Sequence, residues 1–232
     1  MELDPTLTLP TSTSGMETSN PGCVLGIVGG SGSGKTTLVS TLIERLGSHN
    51  CCSLAFDAYY LDQGHLEVEA RHLVNYDHPD SLDIGLYNVH LRELAAGRSI
   101  QMPMYDFATH RRTAETVTVE PAVYILAEGI LVLAVAEVRE VLDCSVFLQA
   151  PTEVRLERRI ARDSIERGRS EASVRTQFDS SVQPMHAAMV DPSESHADLV
   201  MSYPFTVEDG VGEVADLLRR YHLGDISRAT HQ

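Results

Sequence analysis

Short, continuous apolar runs alternate along the chain with segments in which apolar residues recur every three to four positions. The first pattern is typical of buried strands and the second of amphipathic helices. Strands are predicted at about 23–28, 52–56, 123–126, 145–148 and 199–201, and helices at about 36–47, 66–74, 84–96, 137–142, 152–167, 171–189 and 208–221. Strands that alternate with helices predict an α/β fold, with a parallel five-stranded sheet and helices on both faces.

Two further strands, at about 100–105 and 116–119, are predicted to pair outside this sheet as a β-ribbon insertion covering about 98–120. The second strand alternates Thr and Val, the pattern of a half-buried ribbon. The N-terminal residues are rich in Thr, Ser, Pro and Met and show no periodicity, which is typical of disorder. We therefore expect a disordered tail at 1–21, a main domain at 22–224 and a frayed C-terminus at 225–232.

The first predicted strand and helix are joined by Gly29-Gly30-Ser31-Gly32-Ser33-Gly34-Lys35-Thr36, which matches the phosphate-loop pattern G-x-x-x-x-G-K-[ST] without a mismatch. Glycines let the main chain turn back and bring its amides close to an anion at a helix N-terminus. The Lys35 ammonium can reach the outer phosphates of a nucleotide, and the Thr36 hydroxyl is a ligand for magnesium. We therefore expect Gly29 to Thr37 to bind a nucleotide in a P-loop NTPase-like fold. A glycine turn without a ligand is disfavoured, because strand and helix flank the loop as phosphate binding requires.

The formal net charge of −15 in 232 residues limits what the protein binds. An acidic chain is unsuited to nucleic acid, whose phosphates require a broad basic face. A small polyanionic substrate must therefore be met by local cations. Lys35 is the only lysine among the 18 lysine and arginine residues, so its place in the loop indicates a specific role for a compact ammonium group.

The cysteines and the apolar runs indicate the cellular compartment in which the protein works. Cys23, Cys51, Cys52 and Cys144 show no metal-binding spacing and are expected to be reduced, mostly buried thiols. The sequence shows no signal peptide, and its longest apolar run, about 125–135, is too short to span a bilayer. We expect a cytoplasmic protein without a membrane partner.

Two acidic residues follow or end predicted strands. Asp57 comes after the second strand, so it should emerge at the same sheet edge as the phosphate loop, where it could accept a proton or hold magnesium. A turn or cap role is the alternative. Glu128 ends a buried strand and precedes Gly129, the position at which other phosphate-loop enzymes carry an acidic metal partner. Burying a carboxylate without a partner is costly, which favours a functional role.

Two loops are dense in aromatic and polar groups: 75–79, with Asn75, Tyr76, Asp77 and His78, and 105–112, with Tyr105, Phe107 and His110. Aromatic rings combined with hydrogen-bonding groups suit a planar ligand such as a nucleobase with its ribose. Turn chemistry at the base of the ribbon is the alternative interpretation.

Six arginines crowd one segment of this acidic chain: Arg155, Arg158, Arg159, Arg162, Arg167 and Arg169. Helical spacing places Arg155, Arg158 or Arg159, and Arg162 on one face. They could pair with Glu153, Glu157, Asp163 and Glu166 on a solvated helix. Phosphoryl transfer also requires cations over the transferred group, so an arginine-bearing lid at about 155–175 is the functional interpretation.

In this order, the motifs resemble those of the uridine kinase (uridine-cytidine kinase) family, most closely its bacterial members. The resemblance covers roughly 23–200 and rests on the phosphate loop with Phe56-Asp57-Ala58-Tyr59-Tyr60, Asn75-Tyr76-Asp77-His78-Pro79, Tyr105-Asp106-Phe107-Ala108-Thr109-His110, Glu128-Gly129-Ile130-Leu131 and the arginine segment 158–169. It implies Mg²⁺-dependent transfer of the γ-phosphate of ATP or GTP to the 5′-hydroxyl of uridine or cytidine. It also implies a homotetramer and feedback inhibition by CTP or UTP.

The resemblance implies a role for each matching residue. Asp57 would activate the 5′-hydroxyl and approach the magnesium ion held by Thr36 and Glu128. The phosphate-binding cations would be Lys35 and the lid residues Arg162, Arg167 and Arg169. The nucleoside would be bound by Tyr60, Tyr76 and Tyr105 along the pocket, His110 at the base edge, Asp77 and Arg159 at the ribose hydroxyls, and Gln177 from the next helix.

Residues 192–205 depart from the family pattern, because they lack its lysine before the last strand and its proline and Arg-Gly turn after it. Donor-base contacts, oligomer packing and regulation are therefore left open. Two other functions also stay open: a kinase of another small alcohol, as in phosphoribulokinase or pantothenate kinase, and a non-catalytic nucleotide-binding protein. A nucleotide-switch GTPase is disfavoured, because its Asn-Lys-x-Asp guanine motif cannot be formed with a single lysine already in the loop.

Overall fold

The computed structural model describes residues 22–71, 73–222 and 224; the expected tail at 1–21 and the expected frayed C-terminus at 225–232 lie outside the described residues. The strands are β1 (Cys23–Val28), β2 (Cys51–Ala55), β3 (Ile100–Asp106), β4 (Arg111–Val119), β5 (Tyr124–Gly129), β6 (Cys144–Gln149) and β7 (Leu199–Ser202). Five of them form a parallel sheet in the spatial order β2-β5-β1-β6-β7. The carboxyl ends of all five therefore meet at one edge, which confirms the predicted sheet.

The main helices are α1 (Lys35–Leu46), α2 (Val68–Arg71), α3 (Ile84–Ala95), α4 (Ala136–Arg139), α5 (Thr152–Glu166), α6 (Glu171–Gln177) and α7 (Val207–His222). On one face of the sheet, Leu42 of α1 and Val214 of α7 pack with Leu25. On the other face, Leu91 of α3 packs with the cluster that contains Val24. Because alternate residues of β1 point to opposite faces, the sheet has a core on each side. Within the described ranges, no helix is long and apolar enough to cross a membrane.

The helical predictions hold best where an apolar face is buried. Asp83 caps α3 as expected, because its side chain accepts a hydrogen bond from the Leu86 N–H at 3.2 Å. The helix predicted at 66–74 forms only over α2, since Val68 and Leu73 are 55 % and 85 % exposed and provide no apolar face to extend it.

The helix predicted at 171–189 is longer than expected and continues from α6 to His196 through two wide π-helical stretches, Phe178–Val182 and His186–Val190. A proline lies just after each stretch, at Pro184 and Pro192. Proline has no N–H to donate inside a helix, and a wider turn accommodates the missing hydrogen bond. The helical turns therefore continue past both prolines.

The ribbon forms as β3 and β4, an antiparallel pair outside the main sheet. Its second strand begins at Arg111, five residues before the predicted start at Thr116. The prediction that this strand is half-buried was wrong, because Val117 is 42 % exposed and its Thr neighbours are exposed as well. Alternation leads to burial only where an element covers one face, and the buried ribbon residues are Ile100, Pro103 and Tyr105 of β3.

Candidate active site

The phosphate loop lies between the end of β1 and the start of α1, at the carboxyl edge of the sheet. Three of its glycines have positive φ angles, 146° at Gly29, 84° at Gly32 and 108° at Gly34. A Cβ would lie 2.5 Å from the Leu148 carbonyl oxygen at the first and 2.3 Å from the Arg155 carbonyl oxygen at the second. Glycine is therefore required both for the turn and for the close approach of neighbouring main chain.

Lys35 is the first residue of α1 and points back into the loop. Its Nζ donates hydrogen bonds to the carbonyl oxygens of Gly29 and Gly30, at 2.9 and 3.1 Å. Burial lowers the pKa of Lys35 to about 8, and the carboxylates of Glu128 and Asp57 oppose that shift. The ammonium is thus held beneath the loop, beside the two acidic residues that the sequence indicated.

Those acidic residues meet at the edge formed by β2 and β5. Glu128 pairs in register with Ala55, the last residue of β2, and Asp57 lies in the 3₁₀ turn that follows. The Thr36 hydroxyl donates a hydrogen bond to Glu128 Oε2 at 3.3 Å. Burial raises the pKa of Glu128, and the Lys35 ammonium opposes the rise. Three oxygen-bearing side chains therefore converge beside the loop, as a hard divalent cation requires.

Asp57 lies at the mouth of the cleft, where its side chain meets solvent while protein surrounds it on the other sides. This partial desolvation raises the pKa of Asp57 above its ordinary value, and the positive charges of Lys35, Arg167 and Arg162 oppose the rise. A carboxylate with a raised pKa and nearby cations is suited to accept a proton beside a developing negative charge.

An aromatic pocket lies next to Asp57. Tyr60 contacts Tyr76 and Tyr105, with ring centroids 5.3 Å apart in each case. The His110 imidazole stacks on Tyr76, with centroids 4.6 Å apart and planes 16° apart. Burial, with a contribution from the Asp57 carboxylate, raises the pKa of Tyr60 well above its ordinary value. Residues from three separate chain segments thus form one aromatic surface.

Arg112, which the sequence did not indicate, fixes the ribbon to this pocket. Its guanidinium donates to the carbonyl oxygens of Tyr59 and Tyr60, at 2.9 and 3.2 Å, and to Asp83 Oδ2 at 3.1 Å. Because Tyr105 and His110 belong to the same ribbon, these contacts set their position against Tyr60. A second arginine at the start of β4 carries no local signal for such a role.

Arg159 links the loop to the opposite side of the cleft. It is buried, and it donates to Ser31 Oγ at 2.7 Å and to Gln177 Oε1 at 2.9 Å. Burial raises the pKa of Asp77, and the Arg159 charge opposes that rise. Gln177 Oε1 also accepts a hydrogen bond from Arg169 at 2.5 Å. The residues assigned by resemblance to the ribose therefore lie within one connected group.

The arginines predicted to share a face of α5 separate into different environments. Arg155 is completely buried, donates to Gln183 Oε1 at 2.6 Å and to the Ala150 carbonyl, and lies behind the phosphate loop next to Gly30. Arg158 donates to the Ser33 carbonyl oxygen at 3.2 Å. The remaining four arginines, Arg159, Arg162, Arg167 and Arg169, share one acidic partner, Asp163. The alternative interpretation placed Asp163 on a solvated helix, but its side chain is buried.

His186 is a second residue that the sequence did not indicate. Its Nε2 lies 2.7 Å from Asp191 Oδ1, and burial lowers its pKa to about 4. A Cβ on Gly30 would lie 2.7 Å from both His186 Cε1 and Arg155 Nη1. A lone histidine in a helical pattern gives no indication of a contact with a loop more than a hundred residues away.

This arrangement defines a class. A glycine loop at the carboxyl edge of a parallel sheet, with a buried lysine and two acidic side chains beside it, is the site of a P-loop phosphotransferase.

Residues 24–207 match the model of the phosphoribulokinase / uridine kinase family. The uridine kinase of Cronobacter sakazakii is 43 % identical over 182 residues, which cover 77 % of this chain and 85 % of that protein. The uridine kinase of Brevibacillus brevis is 40 % identical over 203 residues, which cover 88 % and 92 %. The chain belongs to the phosphoribulokinase / uridine kinase family.

Solved structures with low sequence identity share the fold. Phosphoribulokinase from Rhodobacter spheroides has a TM-score of 0.58 at 14 % identity, covering 79 % of this chain and 71 % of that one. D-glycerate 3-kinase from Cryptococcus neoformans has a TM-score of 0.55 at 17 % identity, covering 82 % and 86 %. These similarities confirm the predicted P-loop α/β fold.

Proposed function

We propose that the protein is a uridine kinase that transfers the γ-phosphate of ATP or GTP to the 5′-hydroxyl of uridine or cytidine. The products would be UMP or CMP, as in pyrimidine salvage. The observation that carries the proposal is the position of Asp57 between two groups. Its carboxylate is close enough to act electrostatically both on Lys35 of the phosphate loop and on Tyr60 of the aromatic pocket.

Asp57 is the general base of the proposed reaction. Its carboxylate accepts the proton of the 5′-hydroxyl while that oxygen forms a bond to the γ-phosphorus and the bond to the β-phosphate oxygen breaks. The leaving group is the nucleoside diphosphate. Partial desolvation raises the pKa of Asp57, which makes it a stronger base than a solvated aspartate.

The loop amides and the cations bind the triphosphate. Lys35 binds the outer phosphates from beneath, and Arg162, Arg167 and Arg169 cover them from the lid. Two of these arginines are close enough to Asp57 to affect its pKa, which supports their position over the reacting phosphate. Fixed cations need no reorganisation as charge moves to the leaving oxygen, so they stabilise the transition state.

Thr36, Asp57 and Glu128 fit a magnesium ion, since all three offer oxygen atoms and two of them already form a hydrogen bond at 3.3 Å. We propose that they hold Mg²⁺ directly or through water. When bound, the ion neutralises charge on the β- and γ-phosphates.

The nucleoside occupies the aromatic pocket. Tyr60, Tyr76 and Tyr105 line the base, and the stack on Tyr76 fixes the His110 ring at the base edge. Asp77 and Arg159 bind the ribose hydroxyls. Gln177, which accepts a hydrogen bond from Arg159, contacts the nucleoside from the next helix. A planar pocket with hydrogen-bonding groups at one end favours a nucleoside over an aliphatic alcohol.

An acceptor panel tests the proposal. Transfer of labelled γ-phosphate from ATP and from GTP is measured with uridine, cytidine, ribulose 5-phosphate and pantothenate, and without an acceptor. Transfer to uridine or cytidine is expected, with little to the other alcohols. Transfer to ribulose 5-phosphate or pantothenate alone would identify a kinase of another small alcohol. Tight ATP binding without transfer to any acceptor would indicate a non-catalytic nucleotide-binding protein.

We further propose a homotetramer that is inhibited by CTP or UTP. Exposed apolar side chains on the ribbon, Met104 and Val117, support contacts between copies. Light scattering measures the mass of the assembly, and initial rates with added CTP or UTP measure inhibition. A monomer at working concentration, or rates unaffected by either triphosphate, would contradict the corresponding part of the proposal.

A further inference from the structure

Asp163 of α5 is completely buried and faces four guanidinium groups. Its Oδ1 accepts hydrogen bonds from Arg162, at 2.9 Å from Nε and 2.8 Å from Nη2, and lies 3.8 Å from Arg167 Nη1. Its Oδ2 lies 3.5 Å from Arg159 Nε and 3.6 Å from Arg169 Nη1. One carboxylate thus contacts every arginine that the proposed function places in the cleft.

The two oxygens of Asp163 divide these arginines into two pairs. The Oδ1 pair, Arg162 and Arg167, acts electrostatically on Asp57, at the reacting end of the cleft. The Oδ2 pair consists of Arg159 and Arg169. Both members of this second pair donate to the same atom, Oε1 of Gln177, and Arg159 also donates to Ser31 of the phosphate loop.

We propose that Asp163 is a positioning residue, which orients Arg162 and Arg167 through Oδ1 and Arg159 and Arg169 through Oδ2. The inference rests on the proposed function and deepens it. Four guanidinium groups this close repel one another, and a single carboxylate leaves the group with a net positive charge. That excess is suited to a triphosphate, while the carboxylate limits the rotamers of long, flexible side chains before the substrate arrives.

The carboxylate of Asp163 can be changed without removing the hydrogen bonds that its main chain makes. The Asp163 carbonyl oxygen accepts the N–H groups of Arg167 at 3.2 Å and Arg169 at 3.1 Å, which closes the end of α5. These two bonds do not involve the carboxylate. Asp163→Asn should therefore retain the end of the helix while removing the charge and turning one acceptor into a donor.

Kinetics of Asp163→Asn test the role. We expect kcat to fall by about 10²-fold, because small displacements of charged groups have effects of this size, and KM for uridine to rise by about tenfold. Glu157→Gln is the matched control, since it removes one negative charge from an exposed position of the same helix, and it should stay within about twofold of wild type. A folded Asp163→Asn protein with wild-type kcat and KM would overturn the inference.

A double-mutant cycle separates positioning from general damage. If Asp163 acts through the arginines, Asp163→Asn should cost far less kcat in an Arg162→Ala, Arg167→Ala background than in wild type. An equal loss in both backgrounds would overturn the inference. If Asp163→Asn shows no thermal unfolding transition, Asp163→Glu is tested instead. This variant keeps the charge but moves the oxygens, so kcat should fall by about tenfold. Wild-type kinetics in Asp163→Glu would contradict a positioning role.

Calorimetric titration with ATP keeps this test distinct from the proposed function, because it measures nucleotide binding in the absence of any acceptor. Weaker ATP binding by Asp163→Asn than by wild type is expected. A wild-type protein that binds ATP but does not phosphorylate uridine contradicts the proposed function alone. Unchanged ATP affinity in Asp163→Asn, together with unchanged kcat, contradicts the role of Asp163 alone.

Discussion

The His110 imidazole stacks on the Tyr76 ring, with centroids 4.6 Å apart and planes 16° apart. The two residues belong to different loops, and His110 has a φ of 54°, an uncommon value for a residue with a side chain. In the proposed complex, a histidine fixed in this way would present its ring nitrogens to the base in one orientation. This supports a role in choosing between bases that differ in their donor and acceptor edge.

His110→Ala should change the ratio of kcat/KM for uridine over cytidine by about tenfold, since the loss of one hydrogen bond changes discrimination by this order. KM for ATP should change by less than about twofold, because the phosphate loop is not altered. Steady-state kinetics with both nucleosides measure the effect. His49→Ala, at an exposed position after α1, is the control and should leave the ratio unchanged. Equal losses for both nucleosides would argue against base reading.

Asp57→Asn should lower kcat by about 10³-fold or more, because an amide cannot accept the proton of the attacking hydroxyl. Rapid-quench or coupled assays measure the rate. The thermal midpoint should stay within a few degrees of wild type, since Asp57 is solvent-accessible at the cleft mouth. Asp216→Asn, at an exposed position of α7, is the matched control. Near-normal turnover by Asp57→Asn would rule out its assignment as the base.

The pH profile of kcat/KM for ATP should be bell-shaped, because it reports groups of the free enzyme. Lys35 must carry its charge, and burial lowers its pKa to about 8, so activity should fall as pH rises through that value. Asp57 must be deprotonated, so activity should fall as pH drops through its raised pKa. Asp57→Glu keeps a carboxylate and should retain the basic limb. A flat profile from about pH 7 to about pH 9.5 would contradict the charge requirement at Lys35.

Gly32→Ala should abolish measurable ATP binding and lower the free energy of unfolding by about 1–3 kcal/mol. The new Cβ would lie 2.3 Å from the Arg155 carbonyl oxygen, and φ at this position is 84°. Chemical denaturation and calorimetry measure the two effects. Gly212→Ala is the control, because no atom lies within 4 Å of its Cβ, and in a helix it should raise stability by up to about 1 kcal/mol. Wild-type ATP affinity in Gly32→Ala would contradict the close packing of the loop.

Local chemistry explains why so much of the site could be predicted. The loop from Gly29 to Thr36 is a contiguous motif, and Asp57 and Glu128 come at strand ends, so the parallel sheet brings them to one edge. No short motif in the sequence predicts the long-range contacts. The Arg112 anchor and the contact of His186 with Gly30 depend on how the ribbon and the last helical segment fold over the sheet.

The sequence by itself determined the order of strands and helices, the phosphate loop and the family. These follow from periodicity and from short motifs, which neighbouring residues encode. Only the tertiary structure decided which charges are buried and what they face. Asp163 contacts four arginines, while Arg155 is buried between Gln183 and Gly30 of the phosphate loop, although both belong to one helix of alternating charges. A charge pattern shows only which side chains are available. The free energy of burying a charge depends on the partners supplied by distant segments, and packing alone chooses those.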